Sequence, residues 1–189
     1  CLYKDGSMKY SPHDYHPSAG IFSPTTLQDM KCPRYYLLSQ MRGIQTKVEN
    51  VHLAFGTAVH ACTGFFYGHR GDYSFSELKS RAVKAFAISW AGSGLKGNEK
   101  KNLASGVVLM EAYCDFYKDD SATYLPEYIE APVYCEMPDG TILGGVIDRV
   151  WKMGDNIVCP VDSKTSGSAL TPWYWKNWTN SFQMTAYYY

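Results

Sequence analysis

Gly144-Gly145-Val146-Ile147-Asp148-Arg149-Val150, a turn, and then Val161-Asp162-Ser163-Lys164-Thr165 form the stretch that decides the fold. Midway between Asp148 and Asp162 lies position 155, inside Met153-Gly154-Asp155-Asn156, a string of turn-forming residues. Two strands folding back about that point bring the aspartates opposite each other, with Cβ atoms roughly 4.5–5.5 Å apart. Lys164, two positions beyond Asp162, shares their face. Ile142, Val146 and Val150 alternate in register with Asp148, so that face is otherwise apolar. Two carboxylates there repel each other and lose hydration unless a cation compensates. Lys164 supplies one charge, and a hard divalent ion, Mg²⁺ or Mn²⁺, would supply more. On spacing alone, a structural Asp–Lys pair on an exposed sheet face fits equally well. Arg149 falls on the opposite face and reads as one half of a structural ion pair.

Upstream of this hairpin, Glu127 to Glu136 reads as a first strand and Met137-Pro138-Asp139-Gly140 as its turn. Thr141 to Trp151 is then a second strand and Ile157 to Thr165 a third, an antiparallel three-stranded meander. Pro160 inside the third strand removes a ladder hydrogen bond, and a bulge or edge position there would disturb the symmetric pairing. Glu130 could support the site from the first strand, but it fits an exposed strand carboxylate better and stays outside the candidate site. Helices precede the meander. Ser23-Pro24 is an N-cap with a first-turn proline, and Pro33 marks a break. Val51, Phe55, Val59, Cys62 and Phe66 recur at helical spacing from Val51 to Tyr67. Ser74-Phe75-Ser76-Glu77 is a capping-box pattern before a helix ending near Trp90. Gly92, Gly94 and Gly97 mark a loop, and Glu99 to Tyr117 reads as the next helix. A final helix is expected to include Phe182 to Tyr189. Residues 1–20 read as a loose lead-in, and 21–189 as one domain.

Composition bounds the function. With 46% hydrophobic and 19% charged residues, the 189-residue chain has the make-up of a soluble globular domain. No apolar run approaches a membrane span, and the N-terminus lacks the regions of a signal peptide, so a cytoplasmic location is expected. Eighteen basic residues balance 18 acidic ones, so any attraction to nucleic acid must come from a local patch and bound metal. The six cysteines form no Cys-x-x-Cys pair, which gives a zinc ribbon no support; reduced, mostly buried thiols are expected. The first residue, Cys1, and the last three, Tyr187-Tyr188-Tyr189, suggest a fragment of a longer protein.

The two strand segments resemble motifs II and III of the PD-(D/E)xK nuclease superfamily, and within it the RecB-like exonucleases and related CRISPR-associated nucleases. Three further matches fall in order. Gly56-Thr57-Ala58-Val59-His60 resembles the Gly-x-x-x-His helix, and Gln183-Met184-Thr185-Ala186-Tyr187 the Gln-x-x-x-Tyr helix. Ser23 to Leu27, leading to Cys32-Pro33-Arg34-Tyr35-Tyr36, resembles the N-terminal segment. The likeness spans about residues 21 to 189.

The resemblance implies an α/β fold with a restriction-endonuclease-like core, a small mixed sheet flanked by helices, and a further C-terminal strand that this chain lacks. It implies metal ligands at His60, Asp148, Asp162 and the backbone carbonyl of Ser163. Lys164 would orient or help deprotonate the attacking water and stabilise charge on the phosphate, while Gln183 and Tyr187 would position the scissile strand. DNA is the implied substrate and exonucleolytic hydrolysis the implied reaction, in recombination, repair, phage replication or CRISPR adaptation, with a helicase or recombination partner. An iron–sulfur cluster at Cys32 would need three more cysteines beyond this chain. Outside the motifs, Trp173, Tyr174, Trp175 and Trp178 suit stacking on unpaired bases, or, slightly favoured, a packed loop-to-helix junction. The rival of another class is a non-catalytic DNA-binding module, a decayed nuclease within a helicase–nuclease assembly. Retention of every proposed ligand argues against decay.

Overall fold

The computed structural model describes residues 20–44, 50–120, 123–124, 128–153, 157–167 and 170–176. Its contacts divide the chain into two compact units. One gathers the described parts of Cys1–Lys47, Pro132–Val146 and Ser168–Tyr189, the other those of Val48–Ala131 and Ile147–Gly167.

In the first unit, Ser23 caps α1 (Pro24–Asp29) by accepting the Thr26 N–H, with Pro24 in the first turn. Pro33 ends one segment and opens the next. It sits in the first turn of α2 (Pro33–Tyr36), which continues into a π-helical turn over Leu37–Met41. Pro suits a first turn because its missing N–H has no partner to lose there. A mixed three-stranded sheet has the order β1 (Ile21–Phe22), β4 (Ile142–Ile147), β3 (Ala131–Glu136), with β1 parallel to β4. The short helix α6 (Pro172–Lys176) leaves Trp173 and Trp175 exposed, against the packed junction favoured from sequence. The expected helix over Phe182 to Tyr189 lies outside the described residues.

The second unit is built on three helices. Asn50 caps α3 (Val51–Gly68), and Ser74 caps α4 (Phe75–Gly92) by accepting the Glu77 N–H. Of the expected capping box only that half is seen, since the Glu77 carboxylate takes the Arg81 guanidinium. The fourth helix starts later than the periodicity suggests, as α5 (Leu103–Phe116). Asn98 accepts the Lys100 and Lys101 N–H groups in a side-chain-held turn. Asn102 and Ser105 then form a reciprocal capping box that sets the helix start. The helices meet in an aromatic core, where Phe55 packs edge-on to Phe86 and Trp90, with ring centroids 5.5 and 5.8 Å apart. α5 approaches closely because position 106 is glycine; a Cβ there would overlap the Phe86 ring.

The expected continuous meander is divided at Asp148. β4 belongs to the first sheet; β5 (Arg149–Lys152) belongs to a second, ordered β2 (Thr123–Tyr124), β5, β6 (Val158–Val161). At the division the Asp148 carbonyl accepts the Glu130 N–H at 2.8 Å while its carboxylate accepts the Ser163 N–H. The expected alternation is also broken, for Val146 is exposed and Ile147 buried. Across β5 and β6 the antiparallel register runs without interruption, with Arg149 opposite Val161 and Val150 opposite Pro160. Pro160 causes no bulge because β6 is the edge of its sheet, where a missing donor costs little.

Candidate metal centre

The ladder pairing Arg149 with Val161 places Asp148 and Asp162 at the next rung, just beyond the hydrogen-bonded strands. Both are buried acids. Asp148 is 6% exposed, and the Asp162 side chain 2%. α3 brings His60 to them. Its Nδ1 lies 3.3 Å from Asp148 Oδ1 and 3.4 Å from Glu130 Oε1, so one nitrogen faces two carboxylates. The Asp148 and Glu130 carboxylates beside it push the imidazole up to about 9, against burial, which lowers it.

Glu130 is the residue that sequence reasoning missed. Its signal was the midpoint that paired the aspartates: midway between Glu130 and Asp148 lies Asp139, inside the first turn. The structure has that turn, with the Gly140 N–H bonded to the Met137 carbonyl, and the Glu130 N–H bonded to the Asp148 carbonyl. Asp148 is thus a central rung, with Glu130 on one side and Asp162 on the other. Two features hold Glu130 in place. Its backbone is left-handed (φ 50°), a conformation disfavoured for a side chain of this kind and common at functional sites. Gly64, one turn along α3 from His60, leaves room for it; a Cβ on Gly64 would stand 2.9 Å from Glu130 Cγ.

Asp162 turns its carboxylate to Lys164, whose ammonium lies 2.9 Å from Oδ1 and 2.8 Å from Oδ2. Burial raises the Asp162 pKa, and the Lys164 charge offsets part of the rise. Ser163 between them donates its N–H to Asp148 Oδ2 and accepts from Arg149 Nη1 at 2.9 Å. Arg149, expected on the opposite face in an ion pair, is buried, with its guanidinium carbon 4.4 Å from the centre of the Tyr67 ring. The structure therefore brings His60 and Asp148 together, adds Glu130, and sets the Asp162–Lys164 pair one rung away. Gln183 and Tyr187 lie outside the described residues. Cys32 is exposed at the start of α2; of the other described cysteines, Cys62 and Cys114 are buried, and Cys135 and Cys159 half-buried.

The donor set fits a divalent cation. Among the described residues, the ligand atoms of His60, Glu130 and Asp148 all lie within 4.8 Å of one another. One imidazole nitrogen and two carboxylate oxygens suit a hard or borderline ion. One positive imidazolium leaves the buried Asp148 and the more exposed Glu130 with a net negative charge, which a doubly charged ion would offset. Among the described residues no helix is long and apolar enough to cross a membrane.

No curated protein matches the chain in sequence. At the family level residues 21–189 match the PD-(D/E)XK nuclease superfamily, whose members use divalent metals. With a mixed α/β fold, a candidate metal site at His60, Glu130 and Asp148, and a family match over nearly the whole chain, this protein belongs to the PD-(D/E)XK nuclease superfamily.

Proposed function

We propose that the chain is a RecB-like, Mg²⁺- or Mn²⁺-dependent exonuclease domain that hydrolyses DNA phosphodiester bonds, with 21–189 as its nuclease domain. The observation that carries this reading is the convergence of His60, Glu130 and Asp148 on one point, beside a lysine tethered to a buried aspartate. His60, Glu130 and Asp148 would hold the ion, with Asp162 and the Ser163 carbonyl as further donors. A divalent ion held there would lower the pKa of a water and polarise the phosphoryl oxygen. Lys164 orients the attacking water and meets charge developing on the phosphate; its link to Asp162 keeps the ammonium from swinging into solvent. Asp148 keeps its aim because the Ser163 N–H holds one oxygen while the other faces His60. Gln183 and Tyr187, four apart in sequence, would share a helical face and position the scissile strand. The products would carry 5′-phosphate and 3′-hydroxyl ends. A helicase or recombination partner, a cytoplasmic location, and a role in recombination, repair, phage replication or CRISPR adaptation are in keeping with that branch.

The test uses end-labelled single- and double-stranded DNA with Mg²⁺, Mn²⁺ or EDTA. Degradation should require the metal, and Asp148→Ala and Lys164→Ala should each lower it by roughly 10²–10³-fold. Lys164→Ala should still bind Mn²⁺, whereas Asp148→Ala should not. DNA binding without cleavage in any metal would favour the decayed, binding-only module.

A further inference from the structure

A buried guanidinium is costly unless both its face and its donors are engaged. Arg149 lies 7% exposed immediately after the central aspartate. Its face covers the Tyr67 ring at 4.4 Å, and its Nη1 donates to Ser163 Oγ at 2.9 Å. Tyr67 is itself fixed, since its hydroxyl meets that of Tyr113 at 3.1 Å, linking α3 to α5. Ser163 in turn donates its N–H to Asp148 Oδ2. A continuous chain of contacts thus runs from the helical core through Tyr67, Arg149 and Ser163 to the carboxylate that faces His60. Ser163 is also the residue between Asp162 and Lys164, so whatever fixes it fixes the backbone from which both project.

We propose that Arg149, clamped on Tyr67, is a positioning residue that holds Ser163 and through it sets the aim of Asp148, Asp162 and Lys164. On the β6 side, Asp162 and Ser163 lie beyond the last hydrogen-bonded rung of β5 and β6, whereas Asp148 is still held by the Glu130 N–H on its carbonyl. The Ser163 N–H to Asp148 bond continues the order of the ladder, and the Arg149 bond to the Ser163 hydroxyl holds that segment from the other side. Lysine in place of Arg149 would keep the charge over the ring but lose the planar fork that engages ring and hydroxyl together. The role in metal binding rests on the nuclease reading of the site, whereas the hold on Ser163 does not.

The experiment separates the two, using the full chain with Arg149→Met, Ser163→Ala and the double variant. In metal-free protein, amide hydrogen exchange at Ser163 should speed at least about tenfold in Arg149→Met, with exchange in α4 unchanged. With Mn²⁺, each single variant should bind about tenfold more weakly, and the double variant no more weakly than either single one. Unchanged Ser163 exchange, or losses that add in the double variant, would overturn the proposal. If the wild-type chain binds no Mn²⁺, the metal reading fails while the exchange result still decides the role of Arg149. If Arg149→Met does not fold, Ser163→Ala, which deletes only a hydroxyl, decides alone: full Mn²⁺ affinity there would overturn the proposal.

Discussion

His60 is the residue whose surroundings most directly report the site. Without a divalent ion its imidazole is held at about 9 by Asp148 and then Glu130, above the ordinary 6.5. A raised folded-state pKa means that these ion pairs stabilise the protein fully below pH 6.5 and cease to do so as pH rises through about 9. NMR titration of metal-free protein should therefore find the His60 midpoint near 9, and a midpoint near 6.5 would show that the acids do not converge on it. Gly64 offers a second check at this scale. Gly64→Ala sets a methyl against Glu130 Cγ, so Mn²⁺ affinity should fall by about tenfold. The melting temperature should move little, since Ala is favoured over Gly inside a helix. Isothermal titration and thermal melting separate the two effects, and unchanged Mn²⁺ affinity would remove Glu130 from the site.

The elements owe their positions to a few local decisions. α4 and α5 pack against each other through Phe86 and the absent side chain of Gly106, and α3 joins them through Phe55. Gly106→Ala would force the Phe86 ring out of its place, and overpacking of this kind costs about 1–3 kcal/mol. Chemical denaturation should show that loss, while Mn²⁺ binding per folded molecule stays unchanged because Gly106 touches none of the acids. A variant as stable as wild type would mean that α5 can shift away from α4. The strands follow a different logic. Asp148 sits between the end of one strand at Ile147 and the start of the next at Arg149, and its carboxylate faces His60 of α3.

For the molecule as a whole, charge limits how DNA can be held. Eighteen basic residues against 18 acidic ones leave no net attraction to phosphate. Binding should depend on the occupied metal centre and a small local patch. A fluorescence-anisotropy salt series with Lys164→Ala and Mn²⁺ should give a shallow slope, corresponding to fewer than about five phosphates. A slope several times steeper would reveal an extended basic track, and binding unaffected by EDTA would detach DNA recognition from the metal.

Much of this was already written in the chain. Spacing alone placed Asp148 and Asp162 on one rung, because an antiparallel register is set by where the turn falls, and caps such as Ser23 and Ser74 mark helix starts through bonds to residues three positions away. The same midpoint rule fits Glu130, which from sequence reads as an exposed strand carboxylate. What needed the folded molecule was everything joined across long sequence distances. The meeting of His60 with Asp148 and the burial of Arg149 on Tyr67 each depend on a helix docking against strands some 80 residues away. Local periodicity carries the shape of each element and the face it presents; packing decides which faces meet.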